Sequence, residues 1–324
     1  MSAQSRHTSL PPGYSLRAPS PDDAEAVAAL KRAVDVARHG DSDVTVDEVR
    51  EEWALPRLTM DDDVWLIEDG GQAVVGYGLC WVESPPGEIV TEQTVAPAHR
   101  GHGLSEFLLR LGEVRAAEQL LAGAPDAEGE LGVWSHESDT RRIELFAGHG
   151  YRQVRTFLRL DRDLAAPVEA PAWPAGIAVL PFRRDRDEAA VHAAGEEAFL
   201  DHFRPSQMDL DEWLEYRFAR DDFDPGLWFV AWDGDAVAGA VLAIVTPAGG
   251  YVDELFVRRP WRGRGLGRAL LLYECAELRR RDLPRAYLGV DEANPTGARH
   301  LYESAGFASS RGATYFFEKR LGSG

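Results

Sequence analysis

One stretch decides the fold of this chain: Val257-Arg258-Arg259-Pro260-Trp261-Arg262-Gly263-Arg264-Gly265-Leu266-Gly267. It follows the apolar strand pattern Leu255-Phe256-Val257 and precedes a leucine-rich helical pattern. Its glycines allow successive backbone N–H groups to turn toward one point, and the start of the helix adds a partial positive charge there. Arginines surround the glycines in a chain that is otherwise acidic. The stretch therefore predicts a loop that binds a phosphate or pyrophosphate.

The same pattern occurs 162 residues earlier, as Val95-x4-Arg100-Gly101-His102-Gly103-Leu104-Ser105. An Asp/Gly turn between two strand patterns precedes each copy, at 64–81 and at 228–245. A helical pattern follows each copy, at Glu106–Leu121 and at Arg268–Arg281. The chain therefore contains a tandem repeat of one mixed α/β unit.

The repeat predicts a division of the chain into two domains. The Pro/Ala-rich segment 165–175 separates the copies, because neither helix nor sheet continues far through it. We predict a flexible tail at 1–11, an N-terminal domain at 12–164, a linker at 165–175 and a C-terminal domain at 176–324. Each domain then has roughly 150 residues, an ordinary size.

Composition narrows the classes of partner. The net charge is −19 and there is no basic tail, which argues against a nucleic-acid-binding protein. Cys80 and Cys275 lie in apolar segments without metal-ligand spacing, so we expect core thiols and no metal. No apolar run reaches the length of a membrane span, and Met1–Pro11 lacks the apolar centre of a signal peptide. We expect a cytoplasmic monomer or homodimer with no membrane partner.

The loop does not match the two common nucleotide-binding motifs. It lacks the GxxxxGK[ST] pattern of nucleoside triphosphatases, and it is not a GxGxxG with a following acid at the start of a domain. Val257-x4-Arg262-x-x-Gly265-x-Gly267, followed by Asn294 and Leu301-Tyr302-Glu303-Ser304-Ala305-Gly306-Phe307, resembles the GNAT superfamily of acyl-CoA-dependent N-acyltransferases.

The resemblance implies an α/β (α+β) fold of two GNAT-like domains, each with a mixed, mostly antiparallel, twisted sheet flanked by helices. It implies acetyl-CoA as co-substrate, with the CoA pyrophosphate on the loop. The cofactor-binding residues that it implies are Leu255, Phe256, Val257, Arg262, Gly263, Arg264, Gly265, Leu266, Gly267, Arg268 and Asn294. The earlier loop supplies weaker candidates: Val95, Arg100, Gly101, His102, Gly103, Leu104 and Ser105.

Acetyl transfer to an amine needs a base and an acid. An alkyl amine with a pKa near ~10 must lose a proton, and a departing thiolate with a pKa near ~8.5 benefits from gaining one. Asp253 and Glu254 stand on the strand that leads to the loop, and side-chain alternation lets only one face the site unless a bulge intervenes. By resemblance, a carboxylate on this strand is the base and Tyr302 is the acid. Asn294 can cap the next helix or contact the pantetheine arm.

The N-terminal copy lacks part of this set. Alignment of Gly150-Tyr151 with Gly306-Phe307 places Phe146 at the position of Tyr302 and Ser138 at that of Asn294. Thr91-Glu92 replaces Asp253-Glu254, which leaves one carboxylate. We therefore predict that the N-terminal domain is degenerate and that catalysis occurs in the C-terminal domain.

Three functions remain open on the sequence. The first is an N-acetyltransferase that acts on a primary amine of a small molecule. The second is acetylation of protein N-termini or lysines, since an acidic surface attracts basic peptides. The third is a non-catalytic acyl-CoA sensor.

Overall fold

The computed structural model describes residues 9–55, 57–84, 87–123, 128–205, 208–218 and 223–322. The chain forms two compact units. Unit 1 comprises residues 1–154 and 315–324, and unit 2 comprises residues 155–314.

The described helices and strands follow one another in the same order in both halves of the chain, except that the first half has one additional short helix, α3. In the first half they are β1 (Tyr14–Arg17), α1 (Ala24–His39), α2 (Val46–Trp53), α3 (Met60–Asp63), β2 (Val64–Asp69), β3 (Val74–Ser84), β4 (Glu88–Val95), α4 (Leu104–Gly123), β5 (Gly129–His136), α5 (Thr140–Gly148) and β6 (Arg152–Asp163). In the second half they are β7 (Ile177–Pro181), α6 (Glu188–Phe199), α7 (Leu210–Phe218), β8 (Trp228–Asp233), β9 (Ala236–Thr246), β10 (Gly249–Val257), α8 (Leu266–Arg280), β11 (Arg285–Asp291), α9 (Ala298–Ser304) and β12 (Ala308–Leu321).

Each unit has a mostly antiparallel sheet with one parallel pair. In unit 1 the order is β1-β2-β3-β4-β5, followed by the last part of β12, and β4 runs parallel to β5. In unit 2 the order is β7-β8-β9-β10-β11-β6, and β10 runs parallel to β11. The predicted tandem pair of mixed, mostly antiparallel sheets with flanking helices is confirmed.

The boundaries of the units differ from the predicted domains 12–164 and 176–324. Residues 155–163 of β6 belong to unit 2, because Phe157–Asp163 pair with β11. Residues 315–321 of β12 belong to unit 1, where Phe317 is part of the core. The chain thus changes units inside two strands, whereas the sequence suggested the linker 165–175. Of the predicted tail 1–11, residues 1–8 lie outside the described residues, and Leu10 packs against the core of unit 1.

In each unit, the helix that follows the glycine-rich loop packs closely against the sheet, and this contact fixes the position of the loop. A Cβ on Gly112 of α4 would lie 2.2 Å from Thr91 Oγ1 of β4, and a Cβ on Gly250 of β10 would lie 2.5 Å from Leu278 of α8. Glycine is therefore required where these helices cross the sheets. Cys80 of β3 and Cys275 of α8 are fully buried, as core thiols. Across the described ranges, no helix combines the length and apolar character of a membrane span.

One buried carboxyl in α8 opposes the stability of unit 2. Glu274 is fully buried, and neither of its side-chain oxygens has a hydrogen-bond partner among the described residues. Burial raises the pKa of Glu274 well above its usual value, and Glu277 adds to this effect. The carboxyl is therefore protonated in the folded chain at a pH where the unfolded chain ionises it.

Replacement of Glu274 by methionine should stabilise unit 2. Below the unfolded pKa of Glu274, both the folded and the unfolded chain hold the proton, and the pH does not affect the free energy of unfolding through this group. As the pH rises from that value toward the raised folded pKa, the unfolded chain ionises first and the folded state loses stability. We expect Glu274→Met to raise the free energy of unfolding by about 1–3 kcal/mol, and by more at pH 8 than at pH 5. Urea unfolding at both pH values measures this change.

Glu277→Met on the same helix is the matched control. Hydrogen bonds from Arg280 lower the pKa of Glu277, so this carboxylate stabilises the folded state above its unfolded pKa. The control should lose stability at pH 8. An equal effect of both variants at the two pH values would contradict the role assigned to Glu274.

Candidate active site

The loop before α8 has the conformation that its glycines predict. Gly263 has φ +72° and Gly265 has φ +81°, and the latter is the N-cap of α8. A Cβ at either position would meet no atom within 4 Å, so the space beside the loop backbone is open to a ligand. The loop in unit 1 repeats this geometry, with φ +84° at Gly101 and +85° at Gly103.

Arg262 links the glycine-rich loop to neighbouring elements of unit 2 through hydrogen bonds and an ion pair. Its guanidinium donates to the carbonyl oxygen of Val257 at 2.9 Å and to that of Ala198 at 3.0 Å. It also pairs with Asp201 at 3.0 Å. Because these contacts join β10, α6 and the loop, Arg262 holds the open loop in place.

The other arginines of the loop are also paired within unit 2. Arg258 pairs with Glu197, and Arg259 pairs with Asp201 at 2.5 Å. Arg268 pairs with the exposed Glu169 at 2.7 Å. The sequence suggested that these arginines form a concentrated positive charge for a nucleotide, but Glu197 of α6 and Asp201, which follows α6, neutralise Arg258 and Arg259. The backbone N–H groups of the loop are thus the main candidates for a phosphate.

A cavity of about 350 Å³, here called the loop groove, runs beside the loop. Most of the predicted cofactor residues line it. They are Leu255, Phe256, Val257, Arg262, Gly263, Gly265, Leu266, Gly267 and Arg268. Arg264 is not among them, and it donates to the carbonyl oxygen of Ala175 at 3.3 Å.

A second cavity of about 200 Å³, the inner chamber, lies between β10 and β11. These strands pair only at Gly250–Ala286 and Tyr251–Tyr287, and the chamber opens beyond that point. Its lining comprises Phe157, Phe199, His202, Phe203, Val252, Asp253, Leu255, Leu288, Gly289, Val290, Asp291, Asn294, Pro295 and Tyr302. The loop groove shares Phe199, His202, Leu255 and Tyr302, so the two cavities meet there.

A bulge in β10 places the two carboxylates. Val252 pairs with Ala243 and Glu254 pairs with Leu242, so Asp253 is one extra residue on β10. The bulge interrupts the side-chain alternation that would point Asp253 and Glu254 to opposite faces. Asp253 lines the inner chamber, and both carboxylates contact a single guanidinium.

That guanidinium belongs to Arg217 of α7, which the sequence analysis did not identify. Arg217 is only 9% exposed, and its two Nη atoms donate to Asp253 Oδ2 and Glu254 Oε1. Burial raises the pKa of Glu254, and Arg217 opposes this shift. Burial lowers the pKa of Arg217, but Glu254 and Asp253 outweigh burial and the pKa is raised. The cluster therefore carries one net negative charge when both acids are ionised.

Tyr302 lies where the two cavities meet. Burial raises the pKa of its hydroxyl to about 12, so the phenol keeps its proton at neutral pH. Within the described ranges, its hydroxyl has no hydrogen bond to the protein. A protonated phenol at this junction can donate a hydrogen bond or a proton to a ligand.

Asn294 does not cap α9. Its Oδ1 accepts hydrogen bonds from the backbone N of Thr296 at 2.8 Å and from Thr296 Oγ1 at 2.6 Å. Gly297 is the N-cap of α9. Asn294 instead shapes the turn before the helix and lines the inner chamber.

Unit 1 contains a cavity of about 640 Å³ at the equivalent loop. The weaker candidates Val95, Arg100, Gly101, Gly103, Leu104 and Ser105 line it, as does Ser138, whereas His102 is not among its lining residues. The guanidinium of Arg100 makes no hydrogen bond or ion pair to any described residue. Its counterpart in unit 2, Arg262, instead forms an ion pair with Asp201 and donates a hydrogen bond to the carbonyl oxygen of Val257.

The chemistry of unit 1 differs from that of unit 2. Glu92 pairs with Leu79 in regular register, so β4 has no bulge at this position. Phe146 is fully buried in the core and has no hydroxyl to offer. Two cations lie near Glu92: Lys31 of α1, which pairs with Glu52 at 2.6 Å, and Arg142 of α5, which donates to the carbonyl oxygen of Gln93 at 2.6 Å. Burial raises the pKa of Glu92.

Comparisons with known proteins agree with this geometry. Residues 192–307 match the acetyltransferase (GNAT) family model. The chain is 35% identical to a mycothiol acetyltransferase of Thermobispora bispora over 75% of this chain and 79% of the relative, and 34% identical to that of Geodermatophilus obscurus over 72% and 75%.

Solved structures share the two-unit fold. A GCN5-related N-acetyltransferase from Sphaerobacter thermophilus has a TM-score of 0.81 at 31% identity, covering 96% of this chain and 97% of that one. A tandem GNAT protein from the clavulanic acid biosynthesis pathway has a TM-score of 0.70 at 17% identity, covering 96% and 99%, which supports the fold alone. The tandem repeat also resembles the two-domain architecture of mycothiol synthase. The chain belongs to the GNAT family of acetyltransferases, which use acetyl-CoA, and it is an acyltransferase with the tandem architecture.

Proposed function

We propose that unit 2 transfers the acetyl group of acetyl-CoA directly to a primary amine of a small molecule. One observation supports this most strongly: the loop groove and the inner chamber meet at Leu255 and Tyr302, and Asp253 stands on the chamber wall. The donor and the acceptor can thus enter from separate cavities. Tyr302 lies where the two cavities meet, and Asp253 lies on the wall of the inner chamber, close to where the acceptor would bind.

The loop residues would hold the donor. Backbone N–H groups around Gly263 and Gly265, together with the start of α8, suit the pyrophosphate. The apolar groove wall of Leu255, Phe256 and Leu301 suits the uncharged arm of CoA. Acetyl-CoA supplies the activated acetyl group, and Asn294 can offer its amide to the arm or to the acceptor from the chamber wall.

The acidic pair would receive the amine. An ammonium group is attracted to the net negative charge of Asp253, Glu254 and Arg217, and one carboxylate, directly or through water, accepts its proton. The free amine nitrogen then forms a bond to the thioester carbonyl carbon. As the carbon–sulfur bond breaks, Tyr302 donates its proton to the departing sulfur, so that CoA leaves as a thiol. The second proton that the nitrogen loses on becoming an amide returns to the Tyr302 oxygen, directly or through water, and the carboxyl releases its proton to solvent.

The chamber supports a small acceptor over a protein chain. Its volume of about 200 Å³ and its aromatic wall, formed by Phe157, Phe199 and Phe203, suit a compact amine. The relatives named mycothiol acetyltransferase support an acceptor related to mycothiol. We further propose that unit 1 can hold CoA on its own loop without turnover, because the free Arg100 adjoins the loop but no tyrosine is among the described residues that line the cavity.

Product analysis tests the proposed transfer. We expect acetyl-CoA and one member of a panel of small amines, including mycothiol-type aminothiols, to yield CoA and a product heavier by one acetyl group. Chromatography and mass spectrometry should be used, since an acceptor thiol would interfere with thiol reagents. Acetyl-CoA binding without acetylation of any amine would support a sensor, and acetylation of peptides alone would support the protein-directed alternative.

Tyr302→Phe should lower kcat about 100-fold and leave the binding of acetyl-CoA nearly unchanged, because only proton donation is lost. Tyr273→Phe is the control, since Tyr273 lies on α8 and lines neither cavity. Because the pKa of Tyr302 is about 12, activity should not decline between pH 8 and 10 through loss of this proton. Equal rates for Tyr302→Phe and the wild type would remove Tyr302 from the mechanism.

Gly265→Ala should weaken acetyl-CoA binding in unit 2 by about 10-fold, because the left-handed conformation costs a residue with a Cβ roughly 1–2 kcal/mol. Gly234→Ala is the matched control. Gly234 also has a positive φ, of +61°, but it lies in the β8–β9 turn. Both variants should lose stability, and calorimetric titration should show weaker binding for Gly265→Ala alone. Unchanged affinity in Gly265→Ala would argue against the loop as the pyrophosphate site.

A further inference from the structure

The contact of Arg217 with two carboxylates has no counterpart in the motifs that define the loop. Asp253 and Glu254 are neighbours on β10, and both are largely removed from solvent, with side chains 25% and 19% exposed. Two ionised carboxylates this close repel each other, and burial adds a cost for each charge. Without a cation, this repulsion would make the pair easier to protonate.

We propose that Arg217 is a positioning residue that keeps the Asp253–Glu254 pair ionised and fixed at the wall of the inner chamber. This inference rests on the proposed function, since it assigns the pair to the amine. Arg217 leaves the pair with one net negative charge, which suits the binding of a single ammonium group and the acceptance of its proton.

The geometry explains why this residue is an arginine. The planar guanidinium presents two Nη atoms, and each reaches a different carboxylate. A lysine has a single ammonium group and cannot donate in this forked geometry. Arg217 also remains charged despite its burial, because arginine retains its proton even at high pH.

Other ionisable groups face the cluster from the surrounding elements. They are Glu196 of α6, Tyr216 of α7, Tyr251 of β10 and Tyr287 of β11. Glu196 is acidic, and the three tyrosines are neutral at neutral pH. Among the described residues, Arg217 is the cation that forms ion pairs with both carboxylates, and its removal would take away these ion pairs.

Unit 1 provides an internal comparison. There the β4 carboxylate is Glu92, and two cations lie near it: Lys31, which forms its short ion pair with Glu52, and Arg142, which donates to the carbonyl oxygen of Gln93 at 2.6 Å. No bulge brings a second β4 carboxylate to Lys31, since Thr91 occupies that position and donates its hydroxyl to Leu79 O. The forked cation thus occurs in the unit where β10 presents two acids.

The pH dependence of kcat/KM tests the proposal. Activity requires a deprotonated base and is lost as the pH falls through its pKa. Arg217→Met should raise that pKa by about 1–3 units. The acidic limb should move to higher pH by this amount, with activity partly regained above it. Arg217→Lys should fold more readily and show a smaller shift in the same direction.

Arg281→Met is the matched control. Arg281 also bridges two acids, Asp224 and Glu277, and neither of them lines the chamber or the groove. This variant should lose stability but keep the wild-type limb. A rate loss in Arg217→Met that is the same at every pH would mean that Arg217 only supports packing, and the proposal would be wrong.

Carboxyl titration by carbon-13 NMR separates this proposal from the proposed function. Asp253→Asn and Glu254→Gln assign the two signals, and the measurement does not require turnover. A raised pKa in Arg217→Met or Arg217→Lys supports the role of Arg217 even if no amine is acetylated. Unchanged titration of both carboxyls overturns it even if the enzyme is active.

Discussion

Val252 and Glu254 of β10 pair with consecutive residues of β9, and this leaves Asp253 as an extra residue in the strand. The site of unit 2 depends on this bulge. Beyond Tyr251, β10 and β11 no longer pair, and the inner chamber occupies the gap between them. The bulge also presents two neighbouring carboxylates to one guanidinium. The local change in strand register thus places two carboxylates beside the gap in which the proposed acceptor would bind.

The two units show how one fold can carry different chemistry. Both keep the positive-φ glycines of the loop and the parallel strand pair beside it. They differ in single side chains, since Phe146 in unit 1 is a core residue whereas Tyr302 in unit 2 reaches the junction of two cavities. The cavity of unit 1 is nevertheless the larger, with a volume of about 640 Å³. Unit 1 thus has an open cavity although it lacks both the phenol and the bulge.

Local features of this protein could be predicted from its sequence. The repeated loops, the Asp/Gly hairpins and the leucine-rich helices depend on neighbouring residues, and each was found where the pattern indicated. The bulge and the contact of Arg217 could not be predicted, because they depend on pairing between distant strands and helices. The same holds for the arginines of the loop, whose acidic partners Glu169, Glu197 and Asp201 lie far from the loop in the sequence.

Because the end of β12 belongs to unit 1, the core of this unit is completed late in synthesis. Tyr315, Phe317 and Leu321 pack into the core of unit 1, and a Cβ on Gly132 would lie 2.2 Å from the ring of Phe316. These residues follow all of unit 2 in the chain. The end of β12 must therefore leave the ribosome before the core of unit 1 can form completely. Unit 1 can finish folding only after all of unit 2 has been synthesised. A fragment that ends at the Pro/Ala segment would leave this core open and expose apolar surface to aggregation.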